Sequence, residues 1–203
     1  IAQSEACCGK IFTKYWMHNA FLNIDNKKMS KSLGNFFTVR EISERYDLQI
    51  LRFFMLQAHY RSPLNFSAEL MEASKNSLDR IVTAAENLKH FIGNSAEKEL
   101  TAEETTSLEE VKAFVQKFEE AMDDDFNTPK AIAAIFGLIN DTKNDLDNFS
   151  DEEKIAIKSF LDDAAHILGV SFEIEEVNAG SDDLLNLISD VRAELRANKQ
   201  YDL

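Results

Sequence analysis

Few residues in this chain can make a crosslink or a kink. Its 203 residues include two cysteines, two prolines, six glycines and one tryptophan. Cys7 and Cys8 are neighbours that cannot readily bridge each other, and with no third thiol a disulfide framework is excluded. In an expected helix they read as buried or half-buried structural thiols rather than metal ligands. No apolar stretch is long enough to span a bilayer. Hydrophobic residues still make up 44% of the chain, enough for a core. This composition suits a soluble, cytoplasmic protein, with neither a membrane nor DNA expected as partner. Basic residues are scarce in one part only. Residues 1–66 hold 9 Lys and Arg against 5 Asp and Glu, a balance of +4. Residues 67–203 hold 13 against 31, a balance of −18. Phosphate neutralisation needs clustered Lys and Arg, so the acidic part is not a broad nucleic-acid surface. Solvated helix faces account for its charge.

Periodicity and caps predict a mainly helical chain. Tyr15–His18 and Phe21–Ile24 are short aromatic and branched segments that read as strands. Thr38 and Glu41 form a capping box that starts a helix. Asp47 caps a second, with Leu51, Phe54, Met55 and Ala58 on one face, broken at Ser62-Pro63. Ser67 caps a long helix whose face runs from Leu70 and Met71 through Ser74, Leu78, Ile81, Ala85 and Leu88 to Ile92, with Gly93 as stop. Residues 94–100 read as a linker. Thr101 and Glu104 open a helix bearing Val111, Phe114, Val115, Phe118 and Met122. Thr128 caps the next, with Pro129 at its first position and a face from Ile132 to Leu146. Ser150 and Glu153 box the start of another, which stops at Gly169. A last helix is expected from Ser181, and residues 171–180 fit a loop. Amphipathic helices joined by short turns predict an antiparallel bundle.

Residues 28–32, Lys-Met-Ser-Lys-Ser, carry the chemistry. Two ammonium groups three residues apart bind phosphate as mobile point charges, and Ser30 and Ser32 add compact donors with little bulk. The order strand, loop, helix suits anion binding near a helix N-terminus. Such a loop fits closure over a polyphosphate and a leaving pyrophosphate.

This run resembles the second signature, KMSKS, of class I aminoacyl-tRNA synthetases. More narrowly, the chain resembles the cysteinyl-tRNA synthetase (cysteine–tRNA ligase) family. The resemblance rests on IAQSEA at 1–6, YWMHN at 15–19, KMSKSLGNFFTVRE at 28–41, LRFFMLQAHYRSPLNFS at 51–67 and EAMDDDFNTPKA at 120–131, in that order. It implies the end of a Rossmann-type catalytic domain over 1–66 and an acidic helical domain of tRNA-binding type over 67–203. The implied reaction is ATP-dependent activation of cysteine to cysteinyl adenylate, then transfer to tRNA(Cys). The family's HENE and HIGH segments are not in the sequence, so a C-terminal portion of a longer, catalytically complete parent is expected, inactive by itself. The family's zinc ligands are expected in that same missing part.

Residue by residue, the resemblance assigns ATP contact to Lys28, Met29, Ser30, Lys31 and Ser32. Lys31 is the leading candidate, stabilising charge on the departing pyrophosphate. Lys28 either assists or tethers the loop, and Met29 anchors it on an apolar surface. Gly34 supplies backbone freedom after the loop or close packing. His18 either faces the active-site cleft or is a structural, hydrogen-bonded histidine. Arg61 either meets tRNA backbone or neutralises a helix C-terminus. Asp125 and Asn127 are candidate tRNA contacts, although the plain reading of Asp123–Asn127 is a helix end and turn. The Asp run lacks the alternating ligands and glycine of a calcium loop. Two other function classes are open: a tRNA-independent ligase joining cysteine to an amino sugar, and a non-catalytic helical module. The long tail disfavours the first of these and the intact KMSKS the second.

Overall fold

The computed structural model describes residues 1–92, 102–142 and 149–173. All of these lie in one compact unit, Ile1–Glu173. The linker at 94–100, the Thr101–Glu104 capping box, Gly93, Leu146 and the helix expected from Ser181 fall outside the described residues.

A short helix α1, Ala2–Cys8, ends at Gly9 in the left-handed conformation (φ 63°). Cys7 and Cys8 are exposed on it, contrary to the buried or half-buried placement expected. At seven residues, and with no buried residue of its own, the helix has no core to shelter them. Strand β1, Leu22–Ile24, turns back on β2, Lys27–Lys28. Both turn residues, Asp25 (φ 47°) and Asn26 (φ 62°), have positive φ. That twist suits a two-residue hairpin. Residues 15–18 form no strand. Tyr15, Trp16 and Met17 are exposed and have no ladder partner among the described residues, and an extended segment without a neighbour is not a sheet member.

Beyond the hairpin come α2, Val39–Ser43, and α3, Leu48–Leu56. The Thr38–Glu41 capping box is complete, and Asp47 accepts from the Gln49 amide at 2.7 Å. α3 ends well before Ser62-Pro63, so proline is not its terminator. Phe53 and Phe54 are its buried residues, and Met55 faces solvent. The freed segment then forms an unexpected strand β3, Leu64–Phe66, parallel to β1. Sheet order is β2-β1-β3. Asn65 Oδ1 accepts from the Asn26 amide at 2.7 Å, tying the hairpin turn to β3.

Four helices complete the description: α4 (Ala68–Ile92), α5 (Ala102–Asp123), α6 (Thr128–Thr142) and α7 (Asp151–Leu168). One apolar cluster joins them, with Ile81, Ala121, Ala131, Ile135 and Ala164 fully enclosed. Phe118 and Phe160 meet edge to face, centroids 5.6 Å apart. Gly137 allows α5 and α6 to approach closely, since a Cβ there would come within 2.6 Å of the Phe114 ring. Phe53 of α3 enters the same cluster. Two polar contacts fasten α3 to the end of α7: Arg52 Nε donates to the Leu168 carbonyl at 2.7 Å, and Gln49 accepts from the Ser171 amide at 2.7 Å. Gly169 closes α7 in the left-handed conformation (φ 65°), directly under the Arg52 guanidinium. Buried Glu153 is satisfied by the Ser150 capping box. Among the described residues, no helix is long and apolar enough to cross a membrane.

Candidate functional site

The 28–32 loop starts on β2 and is held by one side chain that the sequence reading missed. Asn35 Oδ1 accepts from the Ser30 amide at 3.0 Å, and its Nδ2 donates to the Lys28 carbonyl at 3.2 Å. Asn35 thereby grips the backbone on both sides of Met29. An Asn shortly after a Gly is a turn signal that could have flagged it. The loop continues as a 3-10 turn, Lys31–Leu33, closed by Gly34 (φ 68°), whose amide donates to the Lys31 carbonyl at 3.3 Å. Nothing lies within 4 Å of where a Cβ would sit on Gly34, so its task is conformational freedom rather than close packing.

Both lysines are exposed and rest over aromatic rings. Lys28 Nζ sits 5.6 Å from the Phe21 centroid, and Lys31 Nζ 5.4 Å from that of Phe36. Cation–π contact at an exposed site holds a lysine weakly, by about 0.5–1 kcal/mol, so both ammonium groups are placed yet free to leave for a phosphate. Ser30 and Ser32 share a hydrogen bond at 2.7 Å. Met29 and Ser30 are half-buried. The loop therefore presents two cations and a hydroxyl pair on a stapled backbone. His18 is exposed and makes no hydrogen bond among the described residues; it lies parallel to the Trp16 ring, centroids 6.4 Å apart.

A second cluster gathers residues that the sequence separates by more than sixty positions. Tyr60 donates its hydroxyl to Asp125 Oδ1 at 2.6 Å, and Arg61 Nε lies 2.8 Å from Asp125 Oδ2. Arg61 Nη2 donates to Oδ1 at 3.2 Å, and His59 Nε2 stands 3.9 Å from Oδ2. The Tyr60 bond, followed by the Arg61 charge, holds the Asp125 carboxyl below its usual range. Asp125 (φ 57°) and Phe126 (φ 53°) are both left-handed, which non-glycine residues adopt only at a cost. Asn127 is the N-cap of α6, accepting from the Lys130 amide at 3.3 Å, so Thr128 lies inside the helix and Pro129 at its second position. The candidates Arg61 and Asp125 are thus brought together, and Asn127 follows at the same turn.

Residues 1–76 match the profile of the class I (C) tRNA synthetase catalytic domain, and residues 117–173 that of the DALR domain. The cysteine–tRNA ligase of Lachnospira eligens is 49% identical over 99% of this chain and 42% of its own length. The cysteine–tRNA ligase of Clostridioides difficile is 44% identical over all of the chain and 43% of its own length. Along its whole length the chain is similar to cysteine–tRNA ligases, and it carries a class I tRNA synthetase catalytic segment and a DALR segment. It spans less than half the length of these cysteinyl-tRNA synthetase relatives. The fold alone is shared with Agrobacterium radiobacter K84 LeuRS, solved in a ternary complex with tRNA and LeuAMS: TM-score 0.59 at 20% identity, over 74% of this chain and 20% of that one.

Proposed function

We propose that this chain supplies the phosphate-closing loop and the helical domain of a cysteine–tRNA ligase. The whole protein uses ATP to convert cysteine to cysteinyl adenylate and passes the cysteinyl group to tRNA(Cys). Residues 1–66 belong to the catalytic domain and 67–203 to the helical domain that lies against tRNA. The observation that carries this reading is the Lys28–Ser32 run on a loop stapled by Asn35.

In adenylation the cysteine carboxylate attacks the α-phosphate in line, and pyrophosphate departs. Catalysis of such a step is mostly positioning and electrostatics. Lys31 swings from the Phe36 face to the departing pyrophosphate, and Lys28 from the Phe21 face assists. Ser30 and Ser32 donate to phosphate oxygens once their mutual bond is exchanged, and Met29 keeps the loop seated. Among the described residues no group of three or more His, Cys, Asp or Glu could hold a metal. The described residues do not fit a zinc ion, and no step here runs through one.

The test is cysteine-dependent exchange of pyrophosphate into ATP by the full-length protein. Lys31→Ala should lower exchange by about a hundredfold or more, roughly 3–4 kcal/mol, while tRNA affinity changes little. Equal losses in both would refute the role given to Lys31. Exchange without charging of tRNA would favour the amino-sugar ligase instead.

A further inference from the structure

The Asp125 cluster does more than close a turn. Tyr60, gripped through its hydroxyl, also accepts at its backbone carbonyl from the Ala20 amide at 2.8 Å. Four residues on, the Leu64 amide donates to the Phe21 carbonyl at 3.0 Å, and β3 runs beside β1 with Leu22 opposite Leu64. β1 in turn pairs with β2, Asn23 opposite Lys28. A continuous set of hydrogen bonds thus leads from the α5–α6 turn, through residues 59–66, to the strand on which the 28–32 loop begins. The sheet itself has little core to hold it, Ile24 being its one buried residue.

Asp125 is poorly suited to meet tRNA. Its carboxylate would repel phosphate, and both of its oxygens are taken by Tyr60 and Arg61. Two successive left-handed residues, Asp125 and Phe126, are retained where the chain must aim that carboxylate at residues 60 and 61. Strain held at one place by a polar grip points to a positional task. From this geometry we infer that Asp125 is a positioning residue for adenylation: by gripping Tyr60 and Arg61, it fixes the strands bearing the 28–32 loop relative to the helical domain. The inference rests on reading that loop as the ATP contact.

The experiment uses the full-length protein in the tRNA-free, cysteine-dependent exchange reaction, comparing wild type with Asp125→Ala, Asp125→Asn, Tyr60→Phe and the Tyr60→Phe/Asp125→Ala pair. Asp125→Ala should raise KM for ATP roughly three- to thirtyfold, the range of couplings carried through packed networks, with a smaller change in kcat. Asp125→Asn, whose carboxamide oxygen still accepts from Tyr60, should restore most of the affinity. The double variant should be no worse than Asp125→Ala alone, because both remove one grip. An Asp125→Ala protein with unchanged KM for ATP in exchange but a raised KM for tRNA in a parallel charging assay would overturn the inference in favour of direct tRNA contact. A fall in kcat alone, from fewer folded molecules, would overturn it in favour of a purely structural role. Wild-type protein without exchange would instead strike the ATP-loop reading, a result separable from either of these.

Discussion

The loop-bearing sheet and the helical assembly are held in different ways. Among residues 1–47 only Ile24 is buried, while Ile11, Phe12, Tyr15, Trp16 and Phe21 are exposed. The shape there comes from polar grips and turn chemistry: the Asp25–Asn26 hairpin turn, the Asn35 staple and the Thr38–Glu41 box. In the helical assembly, Ile81, Ile135, Ile157 and Leu161 are enclosed and the cluster is continuous from α3 to α7. Full burial of such a side chain contributes about 1.5–3 kcal/mol, against about 1 kcal/mol net for one hydrogen bond. Substitutions in the first region should therefore alter function before stability, and in the second the reverse.

The largest expected effect tests the second half of that contrast. Ile135→Ala removes an enclosed side chain and should destabilise by about 2–5 kcal/mol in denaturant unfolding. An effect below the lower end would mean that α5 and α6 collapse around the gap. Asn35→Ala should come next and act on the loop rather than on global unfolding: two loop backbone groups lose their partner, about 1 kcal/mol each in local loop placement. Its signature should be a raised KM for ATP with little change in Tm; a large drop in Tm would erase the distinction between the regions. Ser150→Ala removes the α7 cap and leaves buried Glu153 short of a partner, for a loss of about 1 kcal/mol seen as a lower Tm.

The smallest effect concerns pH. The folded-state pKa of Asp125 is lowered, first by the Tyr60 hydroxyl bond and then by the Arg61 charge, with His59 also facing it. The grip is therefore complete above the unfolded value of about 3.9 and is lost as pH falls through the lowered folded value. The Tm difference between wild type and Asp125→Asn should hold steady from neutral pH to about 5 and shrink below about 4. A difference that changes near neutrality would sink the assignment to the Asp125 carboxyl.

Much of the helical part was legible because its signals are local. Ser67, Ser150 and Gly169 mark ends that follow from backbone groups within four residues of each cap. The apolar period of α4 likewise names its buried face from Met71 to Leu88, although Leu70 at its start is exposed. The larger misreadings fell where the outcome depends on something far along the chain. Residues 15–18 have strand composition but no neighbouring strand, and β3 exists because β1 lies beside it. α3 stops at Leu56 rather than at Ser62-Pro63, and Tyr60 and Arg61 beyond it bond to Asp125.

By itself the sequence determined the caps, the amphipathic faces and the Lys28–Ser32 run, because each depends on residue type and short spacing. Only the tertiary structure decided that Phe53 joins the helical core and that Arg61 and Asp125 satisfy each other. Pairings of this kind cross up to 122 residues, as between Gln49 and Ser171. Their partners are chosen by how the chain packs, and no local pattern encodes that choice.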